Sequence, residues 1–448
     1  VAVISDLKWR LSYGEAGNNR MANNLWRQTY VISNNRTIGF GKEPQPYWVS
    51  GSNILFNPDL RWETTITRNT GLDFSLWQGK LSGNLDAYWN TTKDLLVESD
   101  IPDYSGSLKQ MQNIGQTSNK GIELGLTANI INKKDFSLSA TFNIGINRSK
   151  IDALDDVDTK YFRSNWAGTD LKGIDDYILQ VGRTVGLMYG YVTDGMYTVD
   201  DFEQYDEAAR KYILKAGVAD NSGITGGPVG LRPGMLKYKD LNGDGKVDET
   251  NDRQVIGSAL PKHSGGFGFS ATYKSFDLST LFNWVYGNQV YNTGKISFNM
   301  YHRTTYGNML EGMNSDNRFM YINPTGQVVT DLEELRALNE HATIWSPFSM
   351  GSASPSLHSW AVEDGSFLRL SKVTVGYSLP KPLISKIRLP QFRVYFTAYN
   401  VFLWTNYSGY DPEVNATRSS SYAALTPGVD YSAYPKARTY TFGINATF

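Results

Sequence analysis

The chain has no cysteine. That excludes disulfides and thiolate chemistry, and it leaves the redox compartment undecided. No apolar run approaches the roughly 20 residues a membrane helix needs, so helical spanning is excluded while spanning by strands is not. Net charge is nearly absent, because 43 Lys and Arg meet 44 Asp and Glu to leave −1; nucleic acid is therefore not an expected partner. Histidine is scarce, and His263, His302, His341 and His358 stand without ligand spacing among them. No GxSxG, HExxH or phosphate-cradling glycine loop occurs, and LNGDGK lacks the strand-to-helix setting of a P-loop. Asp155-Asp156 and Asp175-Asp176 read as solvated loop charges rather than acid/base couples. Catalysis finds no support. An export signal is missing and the chain opens on Val1, so a mature chain or a fragment is expected.

What the chain does have is aromatic side chains, at 13% of its residues, and alternation. In the closing RTYTFGINATF, Tyr440, Phe442, Ile444, Ala446 and Phe448 fall on one face of a strand, and Thr441, Gly443, Asn445 and Thr447 on the other. Successive side chains of a strand point to opposite faces, so one face meets lipid and the other meets water or a plug. Ten such segments run along the chain. Leu7, Trp9, Leu11 and Tyr13 alternate with Lys8, Arg10 and Ser12; Ile66, Thr70, Leu72, Phe74 and Leu76 share a face, with Arg68 near one end able to snorkel. After Gln78-Gly79-Lys80, Leu81, Leu85, Ala87 and Trp89 alternate with Ser82, Asn84, Asp86 and Tyr88. Ile122 to Ile130 and Phe136 to Ile146 flank the turn at 132 to 135, and Phe267 to Tyr273 and Phe276 to Tyr286 flank Lys274-Ser275. Segments near 367 to 378 and 392 to 403 are apolar but blurred, as a bulge would make them. The tenth is the closing strand.

Connections alternate in length. Short turns follow 77, 131 and 274, with a Pro-rich one from Leu379 to Gln391, and long excursions follow 13, 91, 148, 287 and 404. Outer-membrane barrels segregate loops in this way, short on the periplasmic side and long outside, whereas a soluble sandwich has no reason to. The expected fold is all-β, a transmembrane antiparallel β-barrel, with the long connections carrying short helices. Tyr and Trp at strand ends suit an interfacial girdle. Asn84, Asp86, Glu123, Asn143 and Asn283 are expected to line the lumen.

The motifs LKWRLSYGEAGNN (7 to 19), NPDLRWETT (57 to 65), NIGQTSNKGIEL (113 to 124), VGLMYGYVTDGMY (185 to 197), LKYKDLNGDGKVDETNDRQVIGSALPKHSGGF (236 to 267) and SFLRLSKVTVGYSLPK (366 to 381), with the final strand, run in order almost from end to end. Together they resemble the SusC/RagA type of TonB-dependent outer-membrane transporters of Bacteroidetes. The resemblance implies a barrel of roughly 22 strands, an N-terminal plug that receives TonB, and a SusD-like surface lipoprotein as lid. It implies active import of an oligomeric nutrient, glycan or peptide, with the carboxy terminus in the periplasm. Residues 1–448 are then the C-terminal part of such a barrel, with long extracellular insertions at 148–265 and 288–366. Ten strands and no plug make the sheet incomplete, because unpaired backbone in lipid costs several kcal/mol per group. Closure of the first strand onto the last is one solution. Pairing of both with strands outside this sequence is the favoured one.

One constellation has defined chemistry. In KDLNGDGKVDETND, Asp240, Asn242 and Asp244 take positions one, three and five of an EF-hand-like loop (240–252), with Gly245 at six, the Lys246 carbonyl at seven and Asp248 at nine. Position twelve is Asn251 and Asp252 follows it, so the last ligand is shifted. Structural Ca²⁺ is one reading, and an ion-free loop of Asx-turns is the other. Helices are expected at 200 to 217 and 330 to 342, with Leu332, Leu335 and Leu338 inward in the second; both are candidates to dock the lid or to pack the loops. Loop aromatics Trp26, Trp48, Tyr161, Trp166, Trp345 and Trp360 are weak candidates for stacking on a solute, as are Tyr47, Tyr104 and Phe162. Two rival functions remain: an outer-membrane enzyme on a small barrel, and a soluble calcium-dependent carbohydrate-binding β protein.

Overall fold

A computed structural model of the chain describes residues 3–19, 23–40, 43–154, 157–166, 175–226, 230–300, 308–348, 356–384, 389–416 and 423–447, with backbone alone within 34–47 and at 103. Asp155-Asp156, His302, the Tyr47 side chain and the terminal Phe448 lie outside what is described. The alternating segments form ten strands: β1 Ile4–Asn18, β2 Glu63–Leu76, β3 Leu81–Asp100, β4 Lys109–Lys133, β5 Phe136–Ala153, β6 His263–Tyr273, β7 Phe276–Tyr286, β8 Phe367–Ser378, β9 Gln391–Thr405 and β10 Thr439–Thr447. They pair antiparallel in strict chain order, and the short strand Ile54–Leu55 joins β4 off this path. Such a meander places every other connection on the same side of the sheet.

Register carries the alternation from strand to strand. Trp9, Leu72, Leu85, Leu124 and Ile144 are successive partners across β1 to β5, and Phe142, Phe267, Phe282 and Leu370 continue a neighbouring row through β8. The adjoining row on the opposite face reads Arg10, Gly71, Asp86, Glu123 and Gly145. A slip of one residue would exchange the faces throughout. β8 and β9 carry the bulges expected of blurred segments: register shifts lie at Leu281/Phe282 and at Leu370/Lys372, and Asn400 takes φ 52°.

Among the described residues nothing covers the apolar face. Trp9 is 69% exposed and Phe442 82%, and Leu124, Phe142 and Phe282 are only half-buried, against their own neighbours in the sheet. Fully exposing one large apolar side chain to water forgoes about 1.5–3 kcal/mol. A sheet that repeats this along ten strands is built for an apolar solvent. The buried cores lie elsewhere, mostly in the long connections: Trp166, Tyr177, Met188, Tyr238, Tyr291, Trp345 and Val429 pack in one cluster drawn from the segments after β5, β7 and β9. Among the described residues β1 pairs only with β2 and β10 only with β9, so the sheet does not close on itself.

Two local expectations need correction. The long excursion after 91 is strand rather than loop: β3 continues to Asp100 and β4 starts at Lys109, giving a hairpin of 20 and 25 residues, about twice what a tilted crossing needs. The helix expected at 200 to 217 is a hairpin of Phe202–Asp206 with Lys211–Leu214. Tyr205 sits opposite Tyr212 with ring centroids 4.8 Å apart, and Phe202 meets Tyr212 at 5.6 Å; cross-strand aromatic pairs of this kind outweigh the weak helix preference of the intervening alanines. Asp206 caps the turn N–H groups of Ala208 and Ala209. The second helix does form, as Leu332–Leu338, with Asp331 accepting from the amides of Glu333 and Glu334 and with Leu335 buried.

Candidate functional site

Two regions concentrate polar chemistry: the polar face of the sheet and the rim built from the long connections. On the polar face, Arg10 of β1 holds Asp73 on the adjacent β2 and, across β2, Asp86 on β3, at 2.9 Å each. The guanidinium lies flat because the position between is Gly71, where a Cβ would collide with Asp86 and Arg10. The same device recurs at the other end, where Arg393 of β9 reaches Asp277 of β7 at 2.8 Å over Gly376. Asn84 donates to Asp86 at 2.9 Å and Ser371 to Asn283. Asn84, Asp86, Glu123, Asn143 and Asn283 all stand on this face, as the alternation requires.

Arg369 belongs to the same face but is sealed, 4% exposed, where the β9–β10 connection folds over it. It holds Asp411 at 2.7 Å, Glu413 at 3.0 Å and the Asn400 side chain at 2.5 Å, and Lys436 adds a 2.6 Å bridge to Glu413. Sequence reasoning missed this latch. Its only signal was an arginine inside SFLRLSK, one residue from the bulge, which reads as an interruption of an apolar strand.

At the rim, the aromatic candidates separate. Trp166 is fully buried and donates its indole N–H to the Tyr291 hydroxyl at 2.8 Å; Trp345, 3% exposed, sits edge-on to Trp360 at 4.8 Å. Both are core residues with no ring face left for a solute. Trp360 is half-buried between the His358 ring and Lys295, whose Nζ lies 4.2 Å from its centroid. Trp26, Trp48 and Tyr161 stay exposed, at 57%, 67% and 48%, as does Tyr104. The structure does not bring these four and the buried tryptophans into one site.

The 240–252 loop is held by its own carboxylates. Asp240 accepts from the amides of Gly243 and Gly245, Asn242 from Asp244, Asp244 from Lys246, and Asp248 from Thr250 and Asn251. Asp252, fully buried, accepts from Leu241 and Asp248. The donor set is of hard oxygens suited to Ca²⁺. Its oxygens face backbone N–H groups, and among the described residues no three acidic or histidine side chains converge as a metal cluster.

Among the buried titratable groups of the rim, His358 and Asp176 are both shifted toward their neutral forms, and Asp176, 1% exposed, is not the solvated loop charge expected from sequence. Burial holds the His358 imidazole neutral, lowering it to about 3, with Lys295 adding to the effect; its Nδ1 pairs with the Thr193 hydroxyl at 3.0 Å. Burial raises the Asp176 carboxyl to about 6, although the Ser164 hydroxyl and amide donate to it. The raised value means that the folded state keeps the proton longer than the unfolded chain. Asp176 therefore contributes its full stability below pH about 4 and loses it as the pH rises to 6, by about 3 kcal/mol at 1.36 kcal/mol per unit. The protection factors of the Tyr177–Gln180 amides, which divide out the intrinsic rise of exchange with pH, should fall across that interval in the wild type, and Asp176→Asn should flatten the dependence.

Comparison with known proteins agrees with this architecture. Residues 2–401 match the family described as TonB dependent receptor-like, beta-barrel. TonB-dependent receptor P3 of Formosa agariphila is 29% identical over 99% of this chain and 40% of its own length. TonB-dependent receptor SusC of Bacteroides thetaiotaomicron is 27% identical over 100% of this chain and 38% of its own. The chain thus spans about two fifths of the length of the curated relatives it matches. Solved structures of the RagAB peptide transporter, and of the RagAB peptide importer in its closed-closed state, superpose with TM-scores of 0.68 and 0.69 at 22% identity, over 100% of this chain and 41% of theirs. That likeness is one of fold. These relatives are receptors and transporters rather than enzymes, and with the family matched along most of its length the chain belongs to the TonB-dependent receptors, as a portion of their β-barrel.

Proposed function

We propose that this chain forms part of the wall of a SusC-like outer-membrane importer, which takes up an oligomeric nutrient, a glycan or a peptide, together with a SusD-like surface lipoprotein. One observation carries the proposal: a ten-stranded sheet leaves its apolar face bare while its polar face holds paired charges. Family membership and the RagAB-like fold support it. In this reading the long connections face outward, the short turns and carboxy terminus face the periplasm, and strands beyond this sequence complete the barrel. Coupling to TonB passes through a plug region that is not in this sequence. The exposed rings of Trp26, Trp48 and Tyr161 are the aromatic surfaces left for solute contact.

Deleting the receptor should abolish growth on one class of oligomer while growth on the corresponding monomer persists. Unchanged growth on every oligoglycan and oligopeptide tested would remove the import reading. A small closed barrel bearing an enzyme fits less well, since among the described residues β1 and β10 do not pair.

Calcium belongs to the proposal as a structural ion only. Hard donors at Asp240, Asn242, Asp244, Asp248 and Asp252, with the Lys246 carbonyl, support it, and the existing hydrogen bonds mean the ion would stiffen the loop rather than shape it. Titrating Ca²⁺ into chelator-treated protein should release heat that Asp244→Asn reduces. No heat in the wild type leaves the loop as an ion-free turn.

A further inference from the structure

The apolar face does not end alike on its two sides. Toward the short turns it closes on a register row of Leu76, Leu81, Ala128 and Ala140, which carries no charge. Toward the long connections, Tyr13 pairs with Arg68, and on the neighbouring strands Trp89 pairs with Lys120 and Lys120 with Arg148. Lys150 stands opposite Ser118 in the next row out. These cations share the alternation of Leu72, Leu124 and Ile144, so they belong to the apolar face and not to the polar one. From Leu76 to Arg68 the strand covers about 27 Å, and a tilt of about 40° reduces that to about 21 Å of height, close to the ~25 Å apolar band of an outer-membrane barrel. The cations therefore mark one rim of that band.

Lys120 and Arg148 are both exposed and stand directly opposite each other. Like charges so placed destabilise a sheet. The carboxylates of this face near them are engaged: Glu15 accepts from the Tyr13 hydroxyl at 2.5 Å, and Asp152 meets Lys150 at 3.6 Å. Among the described residues Arg68, Lys120 and Arg148 have no ion pair; Arg68 donates to the Thr91 hydroxyl at 3.3 Å, and Arg148 is steadied by the Lys262 carbonyl at 2.8 Å. β4 and β5 are interior strands of the sheet, so strands that complete the barrel at its edges do not cover them. An occupant that relieves the repulsion is anionic. It also continues into an apolar body, because Ile122 and Ile146 pair directly beneath and stay exposed. We propose that Lys120 and Arg148, with Lys150 and Arg68 to either side, bind the phosphate of a lipid headgroup in the outer leaflet, whose acyl chains lie along Ile122, Leu124 and Ile144. Trp89, half-exposed beside Lys120, packs at its polar–apolar boundary. This rests on the reading of the apolar face as lipid-facing and of the long connections as outward.

Lipid titration of the intact receptor in detergent, read by native mass spectrometry, tests the inference with three probes: phosphorylated lipid A, the same glycolipid stripped of phosphate, and inorganic phosphate. The wild type should retain phosphorylated lipid A, and the double variant Lys120→Gln with Arg148→Gln should bind it about 25-fold more weakly, roughly fivefold per cation removed. Exchanging the two cations, Lys120→Arg with Arg148→Lys, should keep wild-type binding, which separates loss of charge from damage to the sheet. Equal binding by the wild type and the Gln variant overturns the proposal. Equal retention of the stripped lipid also overturns it, since the contact then belongs to the acyl chains alone, as does displacement of the lipid by an equal concentration of inorganic phosphate, which makes the site one for a soluble anion. A benzophenone amino acid at position 89 in whole cells should capture lipid, and capture of a polypeptide there instead overturns the proposal in favour of a protein partner. Release of the receptor from membranes by alkaline carbonate would indict the membrane reading beneath it.

Discussion

Arg369→Ala should loosen the β9–β10 connection more than any other single truncation in this chain. The guanidinium is 4% exposed and holds Asp411, itself 4% exposed, at 2.7 Å with Glu413 at 3.0 Å. Removing it strands a buried carboxylate, and breaking such a pair from one side costs about 3–5 kcal/mol. The net worth of the intact pair is smaller, because both charges were desolvated to form it. The double change Arg369→Met with Asp411→Leu should therefore recover most of the loss. Amide exchange over 406–416 and 423–438 reads the effect: fast in the single variant, near wild type in the double. Equal exchange in all three would mean that the latch does not hold the connection.

A second large effect separates neighbouring residues of β5. Phe142 stands on the apolar face, stacked on Trp284 at 5.6 Å, and Asn143 stands on the polar one. Phe142→Arg should destabilise the receptor in lipid vesicles by about 2–4 kcal/mol, the cost of a cation at mid-bilayer on a barrel's lipid face. Asn143→Arg, one residue away, meets water or polar groups and should change stability by a small fraction of that. Urea unfolding in vesicles compares them, and similar losses for both would mean that the faces are misassigned.

The ten strands were legible because a period of two is written into every one of them, and because meander pairing needs nothing beyond neighbours in sequence. The bulges in β8 and β9 were legible too, as a lapse in that period. Alternation could not say where a strand stops once it leaves the bilayer. Past Thr91 the β3–β4 hairpin continues through Leu95, Leu96 and Val97 with register shifts that blur its period. The 200–217 segment misled for a different reason: its spacing fits a helix face, but Phe202, Tyr205 and Tyr212 gain more by meeting across a turn. Local periodicity does not register that tertiary term. Trp166 and Trp26 look alike in sequence, yet one is fully buried and the other 57% exposed; which side of a folded loop an isolated ring takes depends on partners such as Tyr291, 125 residues away. The Arg369 latch was illegible for the same reason, since Asp411 stands beyond the next strand.

The most direct test of the account is a nitroxide scan along β5, from Leu138 to Ile146, in the receptor reconstituted in bilayers, with collision rates measured against oxygen, which concentrates in hydrocarbon, and against a water-soluble nickel chelate. Labels at 138, 140, 142, 144 and 146 should collide with oxygen, and those at 139, 141 and 143 should collide with the chelate or with neither reagent. Chelate access at 142 and 144, or loss of the two-residue period, would contradict the claim that this sheet turns its apolar face to lipid.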